Sequence, residues 1–311
     1  MSSGINHQPV MVREVLAHLL GTPDGAYLDL TAGLGGHLVA MSEAVSPNAR
    51  LYGLDRDAQA IGIATERLKA VSANVTLHTA SYLSVDAIVK EWPDQQFDGI
   101  LMDLGLSSLQ LDDPTRGFSF RFDTPLDMRF DEKEKTPTAA DLLNSLTEQE
   151  LTRIFFEYGE ERQARMIAKT IVRERQAEMI QTSNRLKEII ASKVPPQYLN
   201  KSLARIFQAL RIVVNHELEQ LENTLPKLPS LLNLKGRLAI LTYHSLEDRL
   251  VKRFFQKMAK GCVCSPEFSV CMCGQEAVFK IITRKAMQPT DAEIQNNSRS
   301  RSAQLRVAER I

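Results

Sequence analysis

Tyr27-Leu-Asp-Leu-Thr-Ala-Gly-Leu-Gly-Gly-His37 decides the fold of this 311-residue chain. The apolar run that ends on Asp29 reads as a short buried strand, the glycines as a turn, and the residues beyond as the start of a helix. The next apolar run, Leu51-Tyr-Gly-Leu-Asp55, reads as a second strand ending on another acid. Glycine has no Cβ, so backbone can approach a ligand closely there. An acid at the tip of the second strand can accept hydrogen bonds from a ribose diol. Together they describe a pocket for an adenosine-containing cofactor.

A dinucleotide fingerprint wants a further glycine three residues after the second. Here Gly33-Leu-Gly35 is followed by Gly36-His37-Leu38, and the leucine disfavours a nicotinamide dinucleotide. No Gly-Lys-Ser/Thr follows, which excludes a P-loop. S-adenosylmethionine has ribose and adenine but no phosphate, and it is the expected cofactor. A glycine-rich loop alone is often only a tight turn; the loop joined to Asp55 is the stronger signal.

Composition sets the bounds. The length suits one large or two ordinary domains, and a hydrophobic content of 43% is ordinary for a soluble globular protein. Lys+Arg and Asp+Glu are equal at 38 each, so no global field steers the chain onto nucleic acid, and an RNA site must be a local patch. No apolar run reaches membrane-spanning length, and Met1-Ser-Ser-Gly-Ile-Asn-His7 lacks a signal-peptide pattern. The four cysteines cluster at 262, 264, 271 and 273 rather than forming a spread disulfide framework. A cytoplasmic, reduced protein is expected.

Strand-like and helix-like runs alternate through residue 103. A helix is expected around 36–45 and another over 58–69, with strands at Val75–His78 and Gly99-Ile-Leu-Met-Asp103. This rhythm predicts a doubly wound, mostly parallel α/β sheet. Residues 105–135 then turn irregular, and 138–225 read as helices, with Thr147-Glu-Gln-Glu150 as a helix start. Residues 203–225 read as one helix with a core-facing apolar stripe. Strand signal returns at Arg237–Thr242, and Val278–Ile282 with Gln304–Ala308 should complete the sheet as an antiparallel pair. The expected division is residues 1–112 and 206–311 as the cofactor domain, and 113–205 as an inserted helical domain.

Six further motifs point to a family. They are Asp103-Leu-Gly-Leu-Ser-Ser-Leu-Gln-Leu-Asp112, Arg116-Gly-Phe-Ser-Phe120, Pro125-Leu-Asp-Met-Arg129, Tyr158-Gly-Glu-Glu-Arg162, Phe207-Gln-Ala-Leu-Arg-Ile212 and His244-Ser-Leu-Glu-Asp-Arg249. With them in this order, the chain resembles the bacterial 16S ribosomal RNA cytosine-N4 methyltransferases, from His7 to Arg310. The resemblance implies a Rossmann-like class I methyltransferase fold with an inserted all-helical domain. It also implies transfer of a methyl group from S-adenosylmethionine to the N4 amine of a cytidine in the decoding region of 16S rRNA, with the small ribosomal subunit as partner; a homodimer is also considered. It implies cofactor contacts at Gly35, Gly36, His37, Asp55, Tyr82, Asp103 and Gln110. The chain departs from the family at Ser81-Tyr82, usually Asn-Phe; at Leu109, usually proline; at Lys201-Ser-Leu-Ala-Arg205, often His-Pro-Ala-Thr-Arg; and at Tyr243, usually phenylalanine.

Methyl transfer from a sulfonium is an in-line displacement, so alignment supplies much of the rate. The cytosine N4 lone pair is delocalised into the ring, and an acceptor for its N–H bonds would localise density and take a proton. Asp103, at a strand end beside Gly105, is the candidate; the plainer alternative is that it binds the methionine amino group or caps a loop. Asp127, Glu247 and Asp248 are weaker candidates. Tyr82 is expected either to stack on adenine or to pack at the rim. The cytosine must also leave its stack, and RNA contact needs cations. On a helix through 162–173, Arg162, Arg165, Lys169 and Arg173 fall on one face and Ala164, Ile167, Ala168 and Ile171 on the other, which describes either an RNA-binding stripe or an ordinary solvated face. Arg116, Arg121, Arg129, Arg299, Arg301 and Arg306 are candidates to extend it. Cys262-x-Cys264 and Cys271-x-Cys273 are atypical of structural zinc, whose pairs are usually Cys-x₂₋₄-Cys. They read either as a reduced surface loop or as a zinc site, and no metal is assigned.

A non-catalytic RNA-binding assembly factor and a methyltransferase acting on another nucleic acid are the rival readings. The intact Gly35, Gly36, Asp55 and Asp103 set argues against the first, and Asp103-Leu-Gly-Leu in place of a Pro-Pro-aromatic motif argues against the DNA amino-methyltransferases.

Overall fold

The computed structural model describes residues 9–106, 113, 115–131, 135–262, 264, 270, 272–274 and 276–311. The chain divides into two compact units, residues 1–105 with 220–311, and residues 106–219.

The first unit is built on seven strands: β1 (Ala26–Asp29), β2 (Arg50–Asp55), β3 (Asn74–Thr79), β4 (Phe97–Asp103), β5 (Leu232–Thr242), β6 (Phe279–Ile281) and β7 (Gln304–Arg310). Their spatial order is β3-β2-β1-β4-β5-β7-β6. Strands β1 to β5 pair in parallel, and β7 runs antiparallel between β5 and β6. The expected final pair is therefore antiparallel, but β7 reaches the sheet first and β6 forms the edge. Alternate residues of one strand enter different cores, as the two-residue period of a strand requires. Leu28, Tyr52, Ile100 and Ile240 join one cluster with Trp92, Leu228 and Phe255. Tyr27, Leu51, Leu101 and Ala239 join the other with Leu19, Leu38 and Ala64. Both faces are thus covered by helices, which explains why the strands read as nearly continuous apolar runs. This is a Rossmann-like doubly wound sheet.

The helices on these faces include Val12–Leu19, Gly36–Ala44, Ala58–Leu68 and Ser245–Ala259. Asp57 caps the third of them, accepting from the backbone N–H groups of Gln59 and Ala60. The Val12–Leu19 helix and the short turns over residues 82–91 carried no expectation from the sequence.

The second unit has helices Ala139–Ser145, Glu148–Glu157, Ala164–Glu174, Ser183–Ala191 and Pro196–Val214, and among its described residues no strand. Its core draws on Leu151, Phe155, Ile167, Ile190, Ile206 and Leu210, among others. Thr147 and Glu150 form the capping box expected there, and Thr138 with Asp141 forms another. The helix expected over 203–225 is two helices, Pro196–Val214 and Glu217–Thr224. The break is at His216, whose φ of 50° lies in the left-handed region. Asn215, buried beside it, accepts from the N–H of Phe130 at 2.7 Å and donates to the carbonyl of Met128 at 2.7 Å. The domain limit expected at 205/206 falls inside the Pro196–Val214 helix, which continues without a break through Phe207, Ala209 and Leu210 into the same core.

Candidate active site

Strand order reverses between β1 and β4, the switch point where ligands bind in open α/β sheets. Three neighbouring strands end there on acids: Asp29, Asp55 and Asp103. β1 lies between the other two, with Asp29 in register with Gly53 on one side and Leu101 on the other.

Asp55 organises the glycine turn. Its Oδ2 accepts the N–H of Gly33 at 2.8 Å and its Oδ1 the N–H of Asp57 at 2.9 Å. A carboxylate oxygen has two lone pairs, so each keeps one. Burial raises the Asp55 carboxyl above its ordinary range, against the opposing pull of the two amides.

The three glycines serve different ends. Gly35 has φ 78° and caps the following helix, and a Cβ there would meet Ala64 and Leu68 at 3.2 Å. A Cβ on Gly36 would meet Pro9 at 3.1 Å. These two glycines give room to the protein's own side chains. Gly33, with φ 50°, meets nothing closer than 3.9 Å. It is the glycine with open space where a Cβ would stand, and the cofactor contacts implied by the family resemblance do not include it.

Asp29 is fully buried. Its Oδ1 accepts the N–H of Thr31 at 2.9 Å and the hydroxyl at 3.2 Å, while its Oδ2 has no hydrogen-bond partner. Burial pushes its pKa up to about 6, against the pull of His37. His37 is also buried, and neither ring nitrogen has a hydrogen-bond partner. Its Nε2 lies 3.4 Å from Asp103 Oδ2, an ion pair when the ring is protonated. Burial disfavours the imidazolium, but the carboxylates of Asp103 and Asp29 outweigh it and the pKa rises. Asp103 Oδ1 accepts the hydroxyl of Tyr243 at 2.7 Å, and the Asp103 N–H donates to Thr31 Oγ1 at 2.6 Å. Burial, reinforced by Asp103, pushes the Tyr243 phenol well above its ordinary range, so it stays a donor. Unsatisfied buried acceptors are costly unless a partner arrives. Asp29 Oδ2 therefore fits a ligand that brings a cationic or hydrogen-bond-donating group, and the His37 ring fits one that brings an acceptor.

Of the residues singled out in the sequence, His37 and Asp103 meet here, Asp55 stands two strands from Asp103, and Tyr82 opens a short turn after β3, partly buried against the core that holds Trp92. Gln110 lies outside the described residues. Asp29, Thr31 and Tyr243 are additions. Asp29 was visible as a strand-ending acid, whereas nothing in sequence joined Tyr243 to Asp103. Glu247 accepts the N–H groups of Tyr243 and His244, a helix cap. Asp248 pairs with Arg306 through two hydrogen bonds.

In the second unit, Arg165, Lys169 and Arg173 lie on the Ala164–Glu174 helix away from buried Ala164, Ile167, Ala168 and Ile171. Arg162 is exposed in the turn before it. Arg162, Arg165 and Lys169 line an open groove of about 500 Å³ with Glu148, Gln163 and Met166. Arg173 pairs with Glu174 at 2.7 Å. Three candidate extensions of the stripe make contacts within the fold. Arg116 donates to the carbonyls of Arg129 and Phe130. Arg129 chelates Asp127, and Arg129 outweighs burial to hold that carboxyl low. Arg306 is buried against Asp248.

The sequence profile of the MraW methylase family matches residues 4–311. Curated proteins named ribosomal RNA small subunit methyltransferase H are similar over nearly their whole length. The one from Lachnospira eligens is 44% identical over 308 residues, covering 98% of each chain. The one from Fusobacterium nucleatum is 43% identical over 305 residues, covering 98% of this chain and 97% of its own. Among solved structures, an rRNA methylase from Streptococcus thermophilus aligns with a TM-score of 0.41 at 12% identity, covering 96% of this chain and 93% of that one.

Proposed function

The chain belongs to the MraW methylase family, and from that premise we propose that it transfers a methyl group from S-adenosylmethionine to the N4 amine of a cytidine in the decoding region of 16S rRNA. The observation that carries the reading is the group of strand-end acids, with Asp55 set for a diol and the unsatisfied Asp29 Oδ2 set for a cationic group.

The donor supplies an electrophilic methyl group. Asp55 accepts hydrogen bonds from the ribose hydroxyls with its remaining lone pairs, and Gly33 leaves the space beside it free of a side chain. Gly35 and Gly36 hold the turn against the helices and Pro9, so their part in cofactor binding is to shape the loop. Tyr82 flanks the adenine. Asp29 and His37 face the charged methionine end, where an ammonium group would satisfy Asp29 Oδ2 and a carboxylate would accept from the His37 ring.

Asp103 has a different task. Tyr243 fixes its Oδ1, leaving Oδ2 as the acceptor for an N4–H bond of the extruded cytosine. That bond would localise the amine lone pair, and as the methyl passed from sulfur to N4, its S–C bond breaking and the thioether leaving, the N4 proton would pass to Asp103. Arg162, Arg165 and Lys169 bind RNA phosphates. A cytoplasmic location and the small ribosomal subunit as the working partner complete this reading.

Mass spectrometry of 16S rRNA nucleosides from cells with and without the chain tests it. N4-methylcytidine at one position should vanish on deletion and return with the wild-type chain, but not with Asp103→Asn. An unchanged nucleoside profile would sink the assignment, and absence of binding heat with S-adenosylmethionine would favour a non-catalytic binding role.

A further inference from the structure

The connection between the Ser245–Ala259 helix and β6 gathers sulfur without burying a core. None of its described residues from 260 to 277 is buried, and Val270 and Met272 are 72% and 79% exposed. Its ends are tied by the Val278 N–H to the carbonyl of Met258 at 2.8 Å. Nevertheless the Sγ atoms of Cys262, Cys264 and Cys273 all lie within 4.8 Å of one another. Hydrophobic burial does not bring them together, and the spacing requires another cause.

The distances point to a metal. Cys262 Sγ and Cys273 Sγ are 3.7 Å apart. A disulfide would place them about 2 Å apart. Four sulfurs around zinc, with Zn–S bonds of about 2.3 Å, form a tetrahedron with edges of about 3.8 Å. The Cys262–Cys273 separation matches that edge, and all three sulfurs lie within 4.8 Å of one another. Backbone N–H groups also point at the sulfurs: Cys264 N–H to Cys262 Sγ at 3.4 Å, and Met272 N–H to Cys264 Sγ at 3.3 Å. Donors of this kind favour the anionic, metal-binding form of sulfur. Gly274, with φ 61°, turns the chain immediately after Cys273, so the return limb of the loop can bring its sulfur back to the Cys262–Cys264 pair.

We propose that Cys262, Cys264 and Cys273 bind a zinc ion that clips this loop into a fixed shape. The atypical Cys-x-Cys spacing is not an obstacle, because two ligands come from the outgoing limb and one from the returning limb. Three soft sulfur ligands select zinc over magnesium or calcium. Cys271, outside the described residues, is not needed for this inference. Binding displaces the thiol protons to solvent, and no redox step is involved.

The test uses the untagged full-length chain purified without chelator. Elemental analysis should find about one zinc per chain, and the Cys262→Ser/Cys273→Ser double variant should lose it while keeping its heat of binding with S-adenosylmethionine. Replacement by cobalt should give sulfur-to-metal charge-transfer and tetrahedral d–d absorption. If the double variant fails to fold, the wild-type chain stripped of metal decides. Micromolar zinc should then slow alkylation of its thiols at least tenfold. A purified chain containing iron and sulfide in place of zinc, or a stripped chain whose thiols react equally fast with and without zinc, would overturn the proposal. Neither readout depends on the methyl-transfer reading.

Discussion

At the residue scale, Asp29 has the clearest consequence. Its folded pKa of about 6 stands above the ordinary value of 3.8, so the folded chain holds this proton more tightly than the unfolded chain. Its contribution to stability is therefore lost as pH rises from about 4 through about 6, a cost on the order of 3 kcal/mol. Asp29→Asn should remove that slope, so the variant's melting temperature should gain on the wild type between pH 4 and 7 in calorimetric scans. A cationic donor favours the carboxylate. Its affinity should rise with pH through about 6 and then level off, with proton release measured by titration calorimetry in buffers of different ionisation enthalpy. The Tyr243 hydroxyl holds Asp103. Removing a hydrogen bond to a charged group costs about 1.5 kcal/mol, so Tyr243→Phe should lower kcat/KM about tenfold with little change in donor affinity. An unchanged kcat/KM would show that Asp103 is held without it.

At the element scale, the Ala164–Glu174 helix presents a buried and a basic face. Arg165→Glu with Lys169→Glu should weaken RNA binding and reduce the slope of log K against log salt by about one for each phosphate that is no longer neutralised. Heat of binding with S-adenosylmethionine should not change, and an unaltered RNA affinity would remove this face from the interface. The turn after the Glu148–Glu157 helix is equally specific. A Cβ on Gly159 would stand 2.7 Å from the Phe155 carbonyl oxygen and 2.8 Å from that of Arg205, both backbone atoms that cannot swing aside. Gly159→Ala should destabilise the helical unit by about 2 kcal/mol, read as a lower urea midpoint. The capping box at Thr147 was legible because its residues are adjacent in sequence. The break at His216 was not, since Asn215 ends the helix by bonding to Met128 and Phe130, far away in the chain.

At the scale of the whole molecule, the two units differ in how they are closed. Among the described residues, the core of residues 106–219 draws on none outside that span. Expressed alone, that segment should give a helical circular dichroism spectrum and a cooperative thermal transition. The sheet unit is split in sequence, because β5, β6 and β7 follow the insertion. Residues 1–105 alone would leave one edge of β4 unpaired over its buried positions, and should aggregate or remain unfolded. A soluble, cooperatively folding 1–105 fragment would contradict this.

Local pattern was enough to specify the alternating α/β frame, the glycine turn with its strand-ending acids, and the insertion of helices between β4 and β5. Each of these is written in short-range periodicity and in residues a few positions apart. Folding in three dimensions was needed to set β7 between β5 and β6, to make Gly35 and Gly36 give room to side chains of the fold, and to bring Tyr243 onto Asp103. It also fixed which arginines are occupied by carboxylates and carbonyls, and drew three separated sulfurs together. These features depend on interactions between segments distant in the chain, which neither hydrophobic period nor motif spacing encodes.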